Sequence, residues 1–151
     1  LHFFQQKCPC SRFNVKKFRK LVSDYGDRID FRVILQSEKK DCVVEFIDDY
    51  EMSIPVVQDA NGSIADICGV YSTPQAAIID TNHTLYYRGN YNKAKFCTQK
   101  LSDFAAIALD SILNGMALPK FNEKATTAYG CALPSDSLMF TEKSLLESLF
   151  N

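Results

Sequence analysis

The stretch FFQQKCPCSRFN, residues 3–14, places two cysteines around a proline directly after an apolar run. A strand followed by a helix that begins at Pro9 explains this order, because proline is favoured at the first helical position. In that register Cys8 caps the helix, and its sulfur is expected to accept hydrogen bonds from the amides of Cys10 and Ser11. Such an environment favours the thiolate, the reactive form of cysteine. The sequence therefore predicts that Cys8 is a nucleophile.

The sequence alone does not determine which residue acts together with Cys8. One hypothesis closes a disulfide between Cys8 and Cys10, and another leaves Cys8 to act alone beside Ser11. Two other interpretations involve no thiol exchange: both cysteines are small buried residues, or they are soft ligands for Cu(I). A zinc site is not predicted, because the chain has no paired Cys-x-x-Cys motifs and its two histidines, His2 and His83, are isolated.

Length and composition predict one ordinary globular domain of 151 residues, with 46% hydrophobic and 23% charged residues. The net charge is -1 and the lysines and arginines form only short pairs, so a nucleic-acid or anionic-membrane surface is not predicted. No apolar run is long enough to cross a bilayer. The opening LHFF has the pattern of the end of a strand, and we expect natural sequence upstream of it, including any targeting segment.

Hydrophobic periodicity predicts alternating strands and helices, ending in a hairpin that a helix covers. Ser37 is the expected cap of the second helix. This order predicts an α/β fold with a mixed central sheet flanked by helices. After a strand at the start of the chain, strands are expected at 30–36, 55–59, 72–80 and 85–89, and helices at 12–25, 37–50, 63–70, 93–114 and 141–150.

Three segments, taken in order, resemble the thioredoxin-fold thiol–disulfide oxidoreductases and the peroxiredoxin-like redoxins. They are HFFQQKCPC (2–10), PVVQDANGSIADICGVYSTPQAAIID (55–80) and LYYRGNYN (85–92). The resemblance implies a thioredoxin-like domain over residues 1–115. It further implies that residues 116–151 form a C-terminal extension packed on the same domain.

The resemblance also implies an activity and a site. The expected enzyme exchanges disulfides with protein thiols through Cys8, uses no cofactor, and works with a reductase or oxidase as its redox partner. Its implied location is the bacterial cell envelope or periplasm, with the cytoplasm as the alternative. The resemblance implies that Pro74 is a cis-proline beside the reactive cysteine and that the backbone of Thr73 pairs with a substrate chain. Pro9, Thr73 and Pro74 are therefore the expected substrate-binding residues.

The motif is one residue shorter than the Cys-x-x-Cys of that class, so two alignments are possible. In the first, Cys8 attacks and Ser11 takes the place of the second cysteine. In the second, Cys10 takes that place and Lys7 falls on the attacking position. We prefer the first alignment, because only this register puts Pro9 at the first helical position.

The other cysteines divide into candidate resolving thiols and core residues. Cys10 is the preferred resolving thiol and Cys131, which follows a glycine in the late segment, is the second choice or an inert surface thiol. Cys68 and Cys97 are expected in the core. The alternative function is a peroxiredoxin-like peroxide reductase, although Gln5 replaces the threonine of that pattern and its arginine is also missing. A copper- or thiol-binding module, or a non-catalytic thioredoxin-fold module, is the third interpretation.

Overall fold

The computed structural model describes residues 1–94 and 103–133, and the fold is built around a five-stranded sheet. The elements in chain order are β1 (His2–Phe4), α1 (Pro9–Tyr25), β2 (Val33–Leu35), α2 (Cys42–Tyr50), β3 (Val56–Gln58), α3 (Ser63–Ile67), β4 (Ser72–Thr73), β5 (Gln75–Ile79), β6 (Leu85–Gly89), α4 (Phe104–Leu113), a 3₁₀ helix (Glu123–Ala125) and β7 (Cys131–Ala132). The strands of the main sheet lie in the order β3-β2-β1-β5-β6, and two further short strands, β4 and β7, form a separate pair.

The main sheet is mixed, as the sequence predicts. Strand β1 runs parallel to β2, and β2 runs parallel to β3, whereas β5 and β6 are antiparallel to their neighbours. Successive side chains of β1 point to opposite faces, so Phe4 joins a core with Phe18 of α1 and Phe104 of α4, and Phe3 joins a second core with Ile64 of α3. The mixed α/β architecture is therefore confirmed.

The predicted starts of two helices are wrong. Helix α2 begins at Cys42 and not after Ser37, because the Ser37 hydroxyl accepts from the amide of Lys39 at 3.2 Å and closes a turn instead. The side-chain amide of Gln58 donates to the carbonyls of Ser37 and Lys39, at 2.7 and 3.1 Å, and holds this loop open. Helix α4 begins only at Phe104, after Asp103, which pairs with Lys17 of α1.

Some sequence predictions lie outside the described residues. The first half of the expected helix over 93–114, with Cys97, falls mostly there, and so does the terminal helix over 141–150. Within residues 1–94 and 103–133, no helix is long and apolar enough to span a membrane.

A buried histidine couples the first strand to the helical layer. His2 is fully buried, stacks on Phe18 at a ring-centroid distance of 4.1 Å, and its Nδ1 shares a hydrogen bond of 2.5 Å with the hydroxyl of Tyr91. Burial lowers the pKa of His2 to about 3. The folded protein therefore keeps this imidazole neutral at a pH where an unfolded chain protonates it.

This burial predicts that the protein loses stability as the pH falls below neutral. The unfolded histidine has a pKa of about 6.5, so below that pH the unfolded chain binds a proton that folded His2 does not bind. We expect the His2 contribution to lower the free energy of unfolding by about 2 kcal/mol between pH 7 and pH 5. Urea unfolding across this range measures it. His2→Phe, which retains the stacking on Phe18, should flatten the dependence, and an unchanged slope in that variant would contradict the assignment.

Candidate functional site

A disulfide joins the two ends of the described chain. Cys8 at the start of α1 is bonded to Cys131 of β7, 123 positions later in the sequence, with a Cα–Cα distance of 5.9 Å. Cys8 is 1% exposed, whereas Cys131 is half-buried. Pro9 occupies the first helical position as predicted, and it is exposed directly beside the disulfide. The structure thus brings together Cys8, the predicted nucleophile, and Cys131, the second choice for the resolving thiol.

The predicted strand over 72–80 is interrupted at Pro74. The residues at this interruption lie on the other side of the disulfide from helix α1. The peptide bond between Thr73 and Pro74 is cis, which is the isomer implied by the resemblance. The residues after Pro74 continue into the main sheet as β5, whereas β4 pairs antiparallel with β7. Thr73 lies opposite Cys131 in this pairing, and its carbonyl oxygen is 3.5 Å from the sulfur of Cys8. Both sulfurs of the disulfide therefore lie beside the cis peptide.

The expected capping contacts of Cys8 are not formed. Its backbone is extended, as a cap requires, and its carbonyl accepts from the amide of Arg12 at 3.1 Å, but its side chain makes no capping hydrogen bond. The reason is that the sulfur is turned towards Cys131 and Thr73. The predicted hydrogen bonds from the amides at the start of α1 are thus wrong for this disulfide form.

Cys10 is close to the site but is not bonded to Cys8. Its half-buried thiol lies 3.8 Å from the carbonyl oxygen of Tyr129, in the segment that leads to Cys131. The hypothesis of a tight Cys8–Cys10 disulfide does not match the pairing in this structure. Of the remaining described cysteines, Cys68 is buried, and desolvation raises the pKa of its thiol to about 11, which suits a core residue.

The segment that carries Cys131 is attached to the sheet by one buried asparagine. Asn90, at the end of β6, is 1% exposed and its side-chain amide donates to the carbonyls of Lys124 and Thr127, at 2.9 and 2.6 Å. Its own backbone amide donates to the carbonyl of Ala125 at 2.7 Å. The Asn90 carboxamide oxygen accepts from Gln75 of β5 at 3.2 Å, so the anchor is continuous with the central sheet.

A tyrosine adds a second attachment next to β4. The hydroxyl of Tyr71 donates to the carbonyl of Thr126 at 2.5 Å and accepts from the amide of Ala128 at 3.1 Å. Beyond Cys131, the amide of Leu133 donates to the carbonyl of Tyr71 at 3.0 Å. Contacts from Lys124 to Leu133 therefore attach this late segment to Asn90 and Tyr71, on both sides of Cys131 in the sequence.

Sequence reasoning did not identify Asn90, Tyr71 or Gly130 as site residues. The first two act through backbone groups of a segment more than thirty residues away in sequence, so no local pattern marks them. Gly130 offered one signal, because a glycine directly before a cysteine suggests a close approach of the backbone.

Removing the side-chain amide of Asn90 should make formation of the Cys8–Cys131 disulfide less favourable. Asn90→Ala deletes two hydrogen bonds to the extension, so we expect the equilibrium constant for closing Cys8–Cys131 in a glutathione buffer to fall about tenfold or more. Asn114→Ala is the matched control, because its side-chain amide donates within α4 to the carbonyl of Asp110. Quantifying oxidised and reduced protein by alkylation and mass spectrometry gives both constants. Equal constants for the two variants would contradict the anchoring role.

The geometry of the described residues gives little support to the hypothesis of a metal centre. Among residues 1–94 and 103–133, no group of three or more histidine, cysteine, aspartate or glutamate side chains is placed to hold a metal ion. In the disulfide form, moreover, the sulfur of Cys8 is not available as a thiolate ligand.

Two solved structures, of a hypothetical and an uncharacterized protein, have a similar fold. A hypothetical protein from Sinorhizobium meliloti 1021 superposes with a TM-score of 0.73 at 20% identity, covering 90% of this chain and 78% of its own. An uncharacterized conserved protein from Geobacillus kaustophilus superposes with a TM-score of 0.73 at 19% identity, covering 91% and 77%. No curated protein matches the sequence. The model of one family, described as a domain of unknown function, DUF6436, matches residues 1–133, and the chain belongs to that family.

Proposed function

We propose that this protein is a thioredoxin-like thiol–disulfide oxidoreductase in which Cys8 is the nucleophile and Cys131 is the resolving thiol. The observation that carries the proposal is the Cys8–Cys131 disulfide, which joins the first turn of a long helix to a strand held against the cis Thr73–Pro74 peptide. A cysteine at a helix start is electrostatically suited to be a thiolate, because the helix dipole and unpaired amides stabilise negative charge there.

The proposed cycle has two exchange steps. In the reduced protein, the Cys8 thiolate attacks one sulfur of a substrate disulfide, forms a mixed disulfide, and the other substrate sulfur leaves as a thiolate with the bonding electron pair. The Cys131 thiolate then attacks the sulfur of Cys8, and the substrate leaves as a second thiolate. Two electrons pass from the protein to the substrate, and the Cys8–Cys131 disulfide remains. The reverse sequence oxidises a dithiol substrate.

The surroundings of the two cysteines support this division of roles. Cys8 directly precedes a 17-residue helix with a buried face, and its carbonyl accepts from the amide of Arg12, so its position is fixed by that helix. Cys131 belongs to a two-residue strand that pairs with Ser72 and Thr73 and lies after the residues that Asn90 and Tyr71 anchor, so it can separate from Cys8 while those anchors hold the preceding segment. A resolving thiol must leave the site to admit a substrate and then return, and the strand β7 is suited to that movement. Cys10 needs no role in this cycle.

The proposed substrates are protein thiols and disulfides, and the proposed partner is a reductase or oxidase that resets Cys8 and Cys131. The bacterial cell envelope is the compartment we propose, because disulfides persist in oxidising compartments such as the periplasm. Nucleic acid is not among the proposed partners.

A stoichiometric exchange experiment tests the proposed function. Reduced protein is mixed with oxidised glutathione, and we expect each protein molecule to convert one glutathione disulfide to two thiols while Cys8 becomes linked to Cys131. Peptide mapping identifies the linked pair, and alkylation identifies the cysteines that remain free. A protein that leaves glutathione oxidised, or a product in which Cys8 is unlinked, would rule the proposal out. Hydrogen peroxide in place of glutathione tests the alternative peroxide reductase.

A further inference from the structure

The strand β7 has the position and direction that an incoming peptide would need in order to present a cysteine to Cys8. Resting on the proposed function, we infer that the Tyr129–Leu133 segment is an internal mimic of the substrate. The substrates would then be extended polypeptide segments with a glycine directly before the reacting cysteine. The internal segment competes with these substrates for the same strand edge, which consists of the main-chain groups of residues 71–73.

The first part of the inference comes from the backbone contacts. Thr73 is fully buried and pairs with Cys131, Ser72 pairs with Ala132, and the amide of Leu133 donates to the carbonyl of Tyr71 at 3.0 Å. These are main-chain contacts, which any extended chain can make regardless of its side chains. The edge therefore selects an extended conformation.

The second part comes from Gly130, which limits the sequence that fits. A Cβ built on Gly130 would overlap the carbonyl oxygen of Thr73 and would lie 2.6 Å from its carbonyl carbon and 3.1 Å from the Cδ of Pro74. The obstacle is the backbone of Thr73, which is fully buried and so has little freedom to move aside. A peptide that takes the place of this segment meets the same obstacle, which leaves room only for glycine before its cysteine.

The residue that follows the cysteine is far less restricted. Ala132 is exposed, so a larger side chain at the corresponding position of a substrate would point to solvent. Selectivity is thus expected on one side of the substrate cysteine and tolerance on the other.

The test uses the 151-residue chain with Cys10→Ser and Cys131→Ser, which leaves Cys8 as the only thiol of the site among the described residues. Its partners are two synthetic peptides, Tyr-Gly-Cys-Ala-Leu and Tyr-Val-Cys-Ala-Leu, each with its cysteine activated as a mixed disulfide with thionitrobenzoate. The Cys8 thiolate attacks the peptide sulfur, the bond between the two cysteine sulfurs forms, and thionitrobenzoate leaves as a coloured thiolate. Mass spectrometry confirms the adduct at Cys8, and the parent reagent, a small aromatic disulfide, measures the intrinsic reactivity of Cys8.

We expect the glycine peptide to react about tenfold or more faster than the valine peptide, because the valine peptide loses the backbone pairing. Equal rates for the two peptides, with rapid reaction of the small disulfide, would overturn the inference and leave the proposed function standing. Slow reaction of all three reagents would overturn the proposed function, and the inference with it.

A second variant tests the competition separately. Adding Gly130→Val to the same background should keep the internal segment off the edge, and we expect the glycine peptide then to react about fivefold faster. The small disulfide corrects for any change in the intrinsic reactivity of Cys8. An unchanged corrected rate would show that the segment does not compete with the peptide.

Discussion

Replacing Cys8 with serine is expected to lower the rate of disulfide exchange at least about a thousandfold, because a serine hydroxyl does not supply the nucleophilic sulfur. The measurement is the rate at which the protein, kept reduced by an excess of a small dithiol, reduces a protein disulfide substrate. The background rate of the dithiol alone sets the lower limit. A Cys8→Ser protein that keeps most of the activity would rule out the proposed chemistry.

A single exchange with pre-reduced protein, run after the small dithiol has been removed, separates attack from resolution. Cys131→Ser should still form the mixed disulfide at Cys8, since the first step does not use Cys131, but the adduct should accumulate because no second thiol releases it. Cys10→Ser is the matched control, because Cys10 is the other cysteine near Cys8 in the structure but is not bonded to it. If Cys10→Ser accumulated the adduct and Cys131→Ser turned over, Cys10 would be the resolving thiol.

Reducing the disulfide is expected to lower the free energy of unfolding by about 2–5 kcal/mol. Closing a long loop restricts the unfolded chain, and a loop of this size lies at the upper end of the entropic effect. The loop here spans 123 positions and includes four of the five strands of the main sheet, so the restriction acts on most of the described chain. Urea unfolding of the oxidised and reduced protein, followed by circular dichroism, measures the difference.

The Cys131→Ser variant is the control for this stability difference. It lacks the disulfide in either buffer, so its unfolding midpoint should be the same with and without reductant and close to that of the reduced natural sequence. A midpoint in Cys131→Ser that still shifts with reductant would mean that another pair of cysteines is responsible. Equal stability of the oxidised and reduced natural sequence would contradict the expected effect.

The parts of the fold that the sequence predicted correctly depend on short-range chemistry. Pro9 placed the helix start, because its fixed φ angle and missing amide suit the first helical position. The apolar periodicity of α1 and the β-rich runs that became β2 and β6 were sufficient for a mixed α/β sheet. The cis isomer at Pro74 was inferred from a resemblance and not from local physics.

The predictions that were wrong involve a choice between competing contacts. The hydroxyl of Ser37 can cap a helix or close a turn, and the side chain of Gln58 from another strand stabilises the turn. The sulfur of Cys8 can accept amide hydrogen bonds or bond to another sulfur, and the strand β7 provides that sulfur. Propensity alone cannot rank such alternatives, because the deciding partner is distant in sequence.

By itself, the sequence determined that a helix begins directly after Cys8 and that the fold contains a mixed sheet, because both follow from local backbone preferences and periodicity. Only the tertiary structure decided which cysteine pairs with Cys8. That choice depends on Asn90 and Tyr71 holding the late segment, and on Gly130 letting it approach Thr73. These contacts join residues separated by tens of positions, where the cost of closing the chain is repaid only by the complete fold.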